Sequence, residues 1–305
     1  MPYFSAKSYN QEQVMQINMW KKYALGAFTG LCATLFGASS FAQTLVMRDA
    51  EVAKMVQAVD AERLEEYVYT LAGFGTRHSL SERAEGRGID ASQEYVKAFF
   101  DALPAAKAGR LEVVLDRFTV PADGRRIPED VELANIMATL KGSDPQDDRV
   151  FIVSAHIDSR ALNVMDRSGE APGANDDGSG VAGVMEMARI LSEHRFPATL
   201  VFLIVTGEEQ GLKGAEHMAK RAKAEEWNLV AMLNNDMIGN SRSSGTELAD
   251  NTRVRIFSEG IPVAETERGA AIRRYTNAEN DSPSRQLARY MKEVVSAMWI
   301  SWRSN

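Results

Sequence analysis

Four short stretches of the sequence carry groups able to bind a divalent cation or move a proton. Ser154-Ala155-His156-Ile157-Asp158 closes an apolar run, RVFIVSA (149–155). Alternate side chains of an extended segment share a face. The Asp158 carboxylate can therefore accept one ring N–H of His156 and leave the other nitrogen free for a metal. APGANDDGSG (171–180) sets Asp176 and Asp177 at a turn leading into a helix, and TGEEQG (206–211) sets Glu208 and Glu209 just after the most apolar stretch, ATLVFLIVT (198–206). The fourth stretch, Asn234-Asn235-Asp236, follows another apolar segment. Singly, each has an ordinary explanation: a hydrogen-bonded histidine at a strand end, a turn with a helix cap, a solvated loop, a second turn. Jointly they would crowd negative charge at one edge of the fold. A bound divalent cation converts that repulsion into coordination.

The elements that must position these groups follow from hydropathy. The segment from Arg48 to Leu103 reads as helical: Asp60 opens a helix with Leu64, Tyr67, Val68 and Leu71 on one face, and a Gly-containing loop spans residues 73–88. A second helix at 91–103 turns Tyr95, Val96, Phe99 and Phe100 inward. Strands are expected at 111–119, 133–140, 149–155, 198–206 and 229–234, with helices at 180–194 and 212–224. A further strand is expected at 253–258, and a helix at 282–298 capped by Asp281 or Ser282. Strands alternating with helices predict a three-layer α/β/α sandwich around a mostly parallel mixed sheet. In such sheets reactive groups collect in loops at the carboxyl ends of strands, which is where all four stretches fall.

Composition narrows the functional classes. The 305 residues are 45% hydrophobic and 25% charged, with a formal net charge of −7. That is globular, and without a basic stripe it excludes nucleic acid as an expected partner. One cysteine, Cys32, allows neither an internal disulfide nor a cysteine-based zinc site. Lys21-Lys22, the apolar run 23–36 and Ser40-Phe41-Ala42 form the pattern of a leader cleaved after Ala42, preceded by an 18-residue polar extension. The run is too short for a stable membrane anchor. Its removal takes away three lysines and one glutamate, turning −7 into −9 on a 263-residue chain, 43–305. This chain is expected to be a single domain in the periplasm or outside the cell.

The His156-x-Asp158 pair, APGANDDGSG, TGEEQG and the Asn-Asn-Asp stretch, in this order, resemble the metal-binding motifs of the M28 family of zinc aminopeptidases. The resemblance runs from Phe-Gly-Thr-Arg-His (74–78) to Asp-Ser-Pro-Ser-Arg (281–285). It implies two zinc ions: His156 and Asp236 on one, Glu209 on the other, and Asp176 bridging both. It further implies Glu208 as general base, Asp158 as the residue orienting His156, and a cis peptide bond between Asp176 and Asp177. The reaction so implied is hydrolysis of the N-terminal peptide bond of a peptide substrate by a metal-activated water.

One expected group is missing from the pattern. The family places a second histidine near the carboxyl end to complete the zinc held by Glu209, whereas His78, His156, His194 and His217 all precede Asp236. The expectation is a C-terminally incomplete domain lacking the last strand or strands, with a weak second zinc site and impaired activity. Alternatives on the same scaffold are a glutaminyl cyclase, a carboxypeptidase or a non-catalytic remnant domain. The intact Glu208–Glu209 pair favours the peptidase.

Overall fold

Side-chain alternation along the inner strands of a five-stranded sheet builds two separate apolar layers. In the computed structural model, which describes residues 49–81, 84–242 and 245–302, the strands are β1 (Leu111–Val120), β2 (Val131–Leu140), β3 (Arg149–His156), β4 (Thr199–Val205) and β5 (Asn228–Asn234). The expected leader lies outside the described residues. The sheet order is β1-β2-β4-β3-β5. Both pairings of β2 are antiparallel, while β3 runs parallel to β4 and to β5. Four strands thus point one way and β2 alone opposes them.

One face of the sheet presents Ile136, Ala138, Val153, Ala155, Phe202 and Ile204. It is covered by α2 (Ala61–Gly73), α3 (Gly88–Ala102) and α5 (Gly178–Leu191), through Leu71, Val96, Phe100, Val184, Met185 and Ala188. The intervening residues Met137, Ile152, Val201, Leu203 and Val205 point to the other face, against Met218 and Ala222 of α6 (Lys213–Ala224). The three-layer α/β/α architecture is therefore a direct reading of odd and even positions in β2, β3 and β4. Ahead of these elements lies α1 (Ala50–Gln57), and the four-residue α4 (Pro104–Lys107) follows α3.

Helix starts follow their cap residues. The Asp60 carboxylate accepts the N–H groups of Glu62 and Arg63 at the start of α2. Asp177 caps α5 in the same way, through the N–H of Gly180. Two departures appear beyond β5. Residues 253–258 form no strand; Val254, Ile256 and Phe257 are solvent-exposed and join no strand of the sheet. Instead α7 (Glu267–Thr276) forms, capped by the Thr266 hydroxyl, before the terminal helix α8 (Pro283–Trp302).

Candidate metal centre

The carboxyl ends of β3, β4 and β5 meet over the amino terminus of α5. His156 is the last residue of β3 and is nearly fully buried. Asp176 and Asp177 precede α5, Glu208 and Glu209 follow β4, and Asp236 follows β5. The Asp176–Asp177 peptide bond is cis, as the resemblance implies. Asp177 ties three of these segments together. Its carboxylate accepts the N–H groups of His156 (3.1 Å), Gly180 (2.9 Å) and Met237 (3.2 Å). Ser179 and Asn175 add a second tie, accepting the N–H groups of Ile238 and Gly239. Asn235 anchors the same loop to β3, its main-chain and side-chain N–H groups both donating to the Ser154 carbonyl.

These ties bring His156, Asp176 and Asp236 together. Their ligand atoms all lie within 4.8 Å of one another, the only such trio of metal-capable groups among the described residues. His156 Nε2 is 3.1 Å from Asp176 Oδ1 and 3.8 Å from Asp236 Oδ1. One imidazole nitrogen and two carboxylates aimed at a common point fit a zinc ion with an open position. The electrostatics agree. Burial opposes charge on the His156 ring, yet Asp158, Asp176 and the charge of Asp177 outweigh it and push its pKa up to about 11. A proton on His156 thus serves as the cation the carboxylates require. The hydrogen bond from His156 in turn holds Asp176 below the usual carboxylate range.

Asp158 meets His156 through its main chain, and its carboxylate has a second job. His156 Nδ1 bonds to the Asp158 backbone carbonyl at 3.0 Å, whereas the carboxylate Oδ1 stands 3.7 Å away. That carboxylate is fully buried and instead accepts the N–H groups of Gly207 (2.9 Å), Glu208 (3.2 Å) and Glu209 (3.0 Å). It fixes the ring tautomer through its main chain and the glutamate turn through its side chain. Burial works to raise its pKa, but His156 and these N–H donors hold it low.

The two glutamates are placed unlike each other. Burial raises the Glu208 pKa, the charges of Asp158, Glu209 and Asp236 add to this, and His156 opposes it. Glu208 is thereby poised to accept a proton. Glu209 lies outside the trio, and its Oε2 accepts a 2.6 Å hydrogen bond from Arg160 Nε. Arg126 holds the Glu209 carbonyl at 2.6 Å. His217 pairs with Asp116 and stacks on Phe118. His78 is buried against the Val164 carbonyl. Neither joins the trio. The structural roles of Asp177 and Ser179 were not legible in the sequence, because a turn motif does not show which distant N–H groups its side chains accept.

Comparison with known proteins places this arrangement. Residues 135–286, which contain the whole site, match the family model described as Peptidase family M28. A protein of Pyricularia oryzae named "Probable zinc metalloprotease" is 43% identical over 248 residues, covering 81% of this chain and 49% of that protein. A protein of the same description from Leptosphaeria maculans is 39% identical over 249 residues, covering 81% and 57%. The chain spans about half the length of the curated relatives it matches. The LapA aminopeptidase of Legionella pneumophila shares the fold, with a TM-score of 0.50 at 20% identity over 69% of this chain and 52% of that one. Matched over residues 135–286 by that family's model, this chain belongs to peptidase family M28.

Proposed function

We propose that the chain is a zinc-dependent exopeptidase, an aminopeptidase that hydrolyses the N-terminal peptide bond of peptide substrates. The observation that carries this is the convergence of His156, Asp176 and Asp236 within 4.8 Å. The names of the fungal relatives support zinc and peptide hydrolysis. When bound, zinc supplies a Lewis acid that polarises the scissile carbonyl and acidifies water. The chain's own residues do the rest. Glu208 takes a proton from the attacking water as oxygen bonds to the carbonyl carbon, then delivers it to the amine as the C–N bond breaks. Asp158 holds the Glu208 backbone in place through the 3.2 Å bond to its N–H. The carboxylates around the site favour a substrate's free ammonium group, which is the basis for preferring the amino end.

The second zinc that the resemblance implies takes no part in this proposal. Of its expected ligands, Glu209 is engaged by Arg160 and lies outside the trio, so no step is assigned to such an ion, and modest turnover with one bound zinc is expected. The leader pattern at residues 19–42 supports a periplasmic or extracellular location.

The test is hydrolysis of aminoacyl-nitroanilides by the purified chain, with and without chelator. Turnover should disappear with chelator and return with zinc. Glu208→Gln should keep its zinc and lose about 10²–10⁴-fold in kcat. Chelator-resistant hydrolysis, or a fully active Glu208→Gln variant, would overturn the proposal. Zinc binding without any turnover would leave a metal-binding domain in place of an enzyme.

A further inference from the structure

Beneath the metal centre lies a buried guanidinium that neither the chemistry nor the metal ligation uses. Arg77, in the Phe-Gly-Thr-Arg-His segment after α2, is 0% exposed. Its hydrogen bonds run to main-chain carbonyls on three separate segments. Nε donates to Ile157 (2.7 Å), the residue between His156 and Asp158. Nη1 donates to Pro172 (2.6 Å) and to Leu71 at the end of α2 (3.0 Å), and Nη2 to Gly173 (2.9 Å), three residues before Asp176. The main chain is braced as well. Arg77 N–H donates to Ser159 Oγ (3.0 Å), and the Ser159 hydroxyl donates to the Ala171 carbonyl (2.6 Å). Gly173 adopts a φ of +50°, and a Cβ there would meet Arg77 Nη2 at 2.9 Å and Ser159 Cβ at 2.5 Å.

We infer that Arg77 is a positioning residue of the metal centre, clamping the loop that carries His156 and Asp158 to the turn that carries Asp176. The inference rests on the zinc reading above. Residues 157 and 172 are joined by an irregular loop, so their separation needs an outside constraint, and ligand positions must hold within about 0.5 Å for a site to work. A planar guanidinium with five N–H donors can span four carbonyls, whereas the ammonium of lysine is a point donor. Burial lowers the Arg77 pKa to about 10, with Asp158, Asp177 and Asp176 opposing the fall, so the group stays charged at neutral pH. That charge sets two roles against each other. As a nearby cation Arg77 repels zinc; as a brace it assembles the ligands. Removing it tightens zinc binding if only charge matters and weakens binding if position matters.

The experiment measures zinc affinity of the full chain by competition with a chromophoric chelator, together with the visible spectrum of the cobalt-substituted protein. Wild type, Arg77→Lys and Arg77→Met are compared at a temperature where circular dichroism shows each metal-free form folded. Both variants are expected to lose about 10–100-fold in zinc affinity, the range carried by groups that orient ligands, with altered cobalt bands. Lysine should not rescue. Affinity and spectrum unchanged in Arg77→Lys, or zinc bound more tightly by Arg77→Met, would overturn the inference. If neither variant folds, Ser159→Ala removes one tie while keeping the guanidinium. A smaller loss of affinity with shifted cobalt bands then supports the brace, and wild-type values overturn it. Failure of the wild-type chain to bind zinc would instead remove the metal-centre reading itself.

Discussion

His156 and Asp158 show how a short motif can hold two constraints at once. The His156 ring is charged in the metal-free protein, because nearby carboxylates outweigh its burial and push the pKa up to about 11. Zinc must displace that proton. Apparent zinc affinity is therefore expected to rise about tenfold per pH unit between about pH 7 and 9, with one proton released per ion. Calorimetry in buffers of different ionisation enthalpy counts that proton, and a pH-independent affinity would contradict the assignment. For the metal-free fold the sign is opposite. A pKa raised above the unfolded value stabilises most at low pH, so the His156 contribution is full below about 6.5 and fades toward 11. Asp158 carries a separate expectation. Replacing it with alanine leaves the N–H groups of Gly207, Glu208 and Glu209, the first of them buried, without their acceptor. A loss of about 1–3 kcal/mol in urea unfolding is expected, and an unchanged midpoint would contradict this role for its carboxylate.

The first turn of α5 is where helix, strand ends and site meet. Gly180 packs so closely that a Cβ would lie 2.2 Å from the Asn235 carbonyl and 2.4 Å from Asp177 Oδ1. Glycine-to-alanine exchange inside a helix ordinarily stabilises by about 0.5–1 kcal/mol. Here Gly180→Ala is expected to destabilise by about 1–3 kcal/mol, as overpacking does, and to weaken zinc binding by displacing the Asp236 loop. A melting temperature at or above wild type would refute it. The strands β3 and β4 were legible because their apolar runs are continuous, and the start of α2 because Asp60 caps it. The irregular 253–258 segment was not legible, since alternation alone cannot reveal whether a segment joins the sheet. The same holds for the site. His156, Asp176 and Asp236 could be named through the resemblance of their motifs to those of the family. The work of Asp177, whose N–H partners sit 3, 21 and 60 residues away, and of the Asp158 side chain, bonded 49 to 51 residues away, depends on which loops fold together.

Across the whole molecule, the sheet offers a strong interior and one weak border. β5 carries Leu229, Val230 and Met232 exposed, and among the described residues only β3 pairs with it. Unpaired apolar edges invite association, so Val230→Lys is expected to reduce light scattering of the concentrated chain without altering zinc affinity; unchanged scattering would count against the edge as the cause. Zinc should also stabilise the folded state as a whole, by about 2.7 kcal/mol when free ion stands at about 100 times Kd, seen as a chelator-reversible rise in Tm. The most direct measurement is a crystal of the zinc-soaked chain with anomalous scattering recorded across the zinc edge. A single strong peak is expected at coordinating distance from His156 Nε2 and from carboxylate oxygens of Asp176 and Asp236. An empty trio, or zinc bound only elsewhere, would contradict the metal centre on which the proposed chemistry depends.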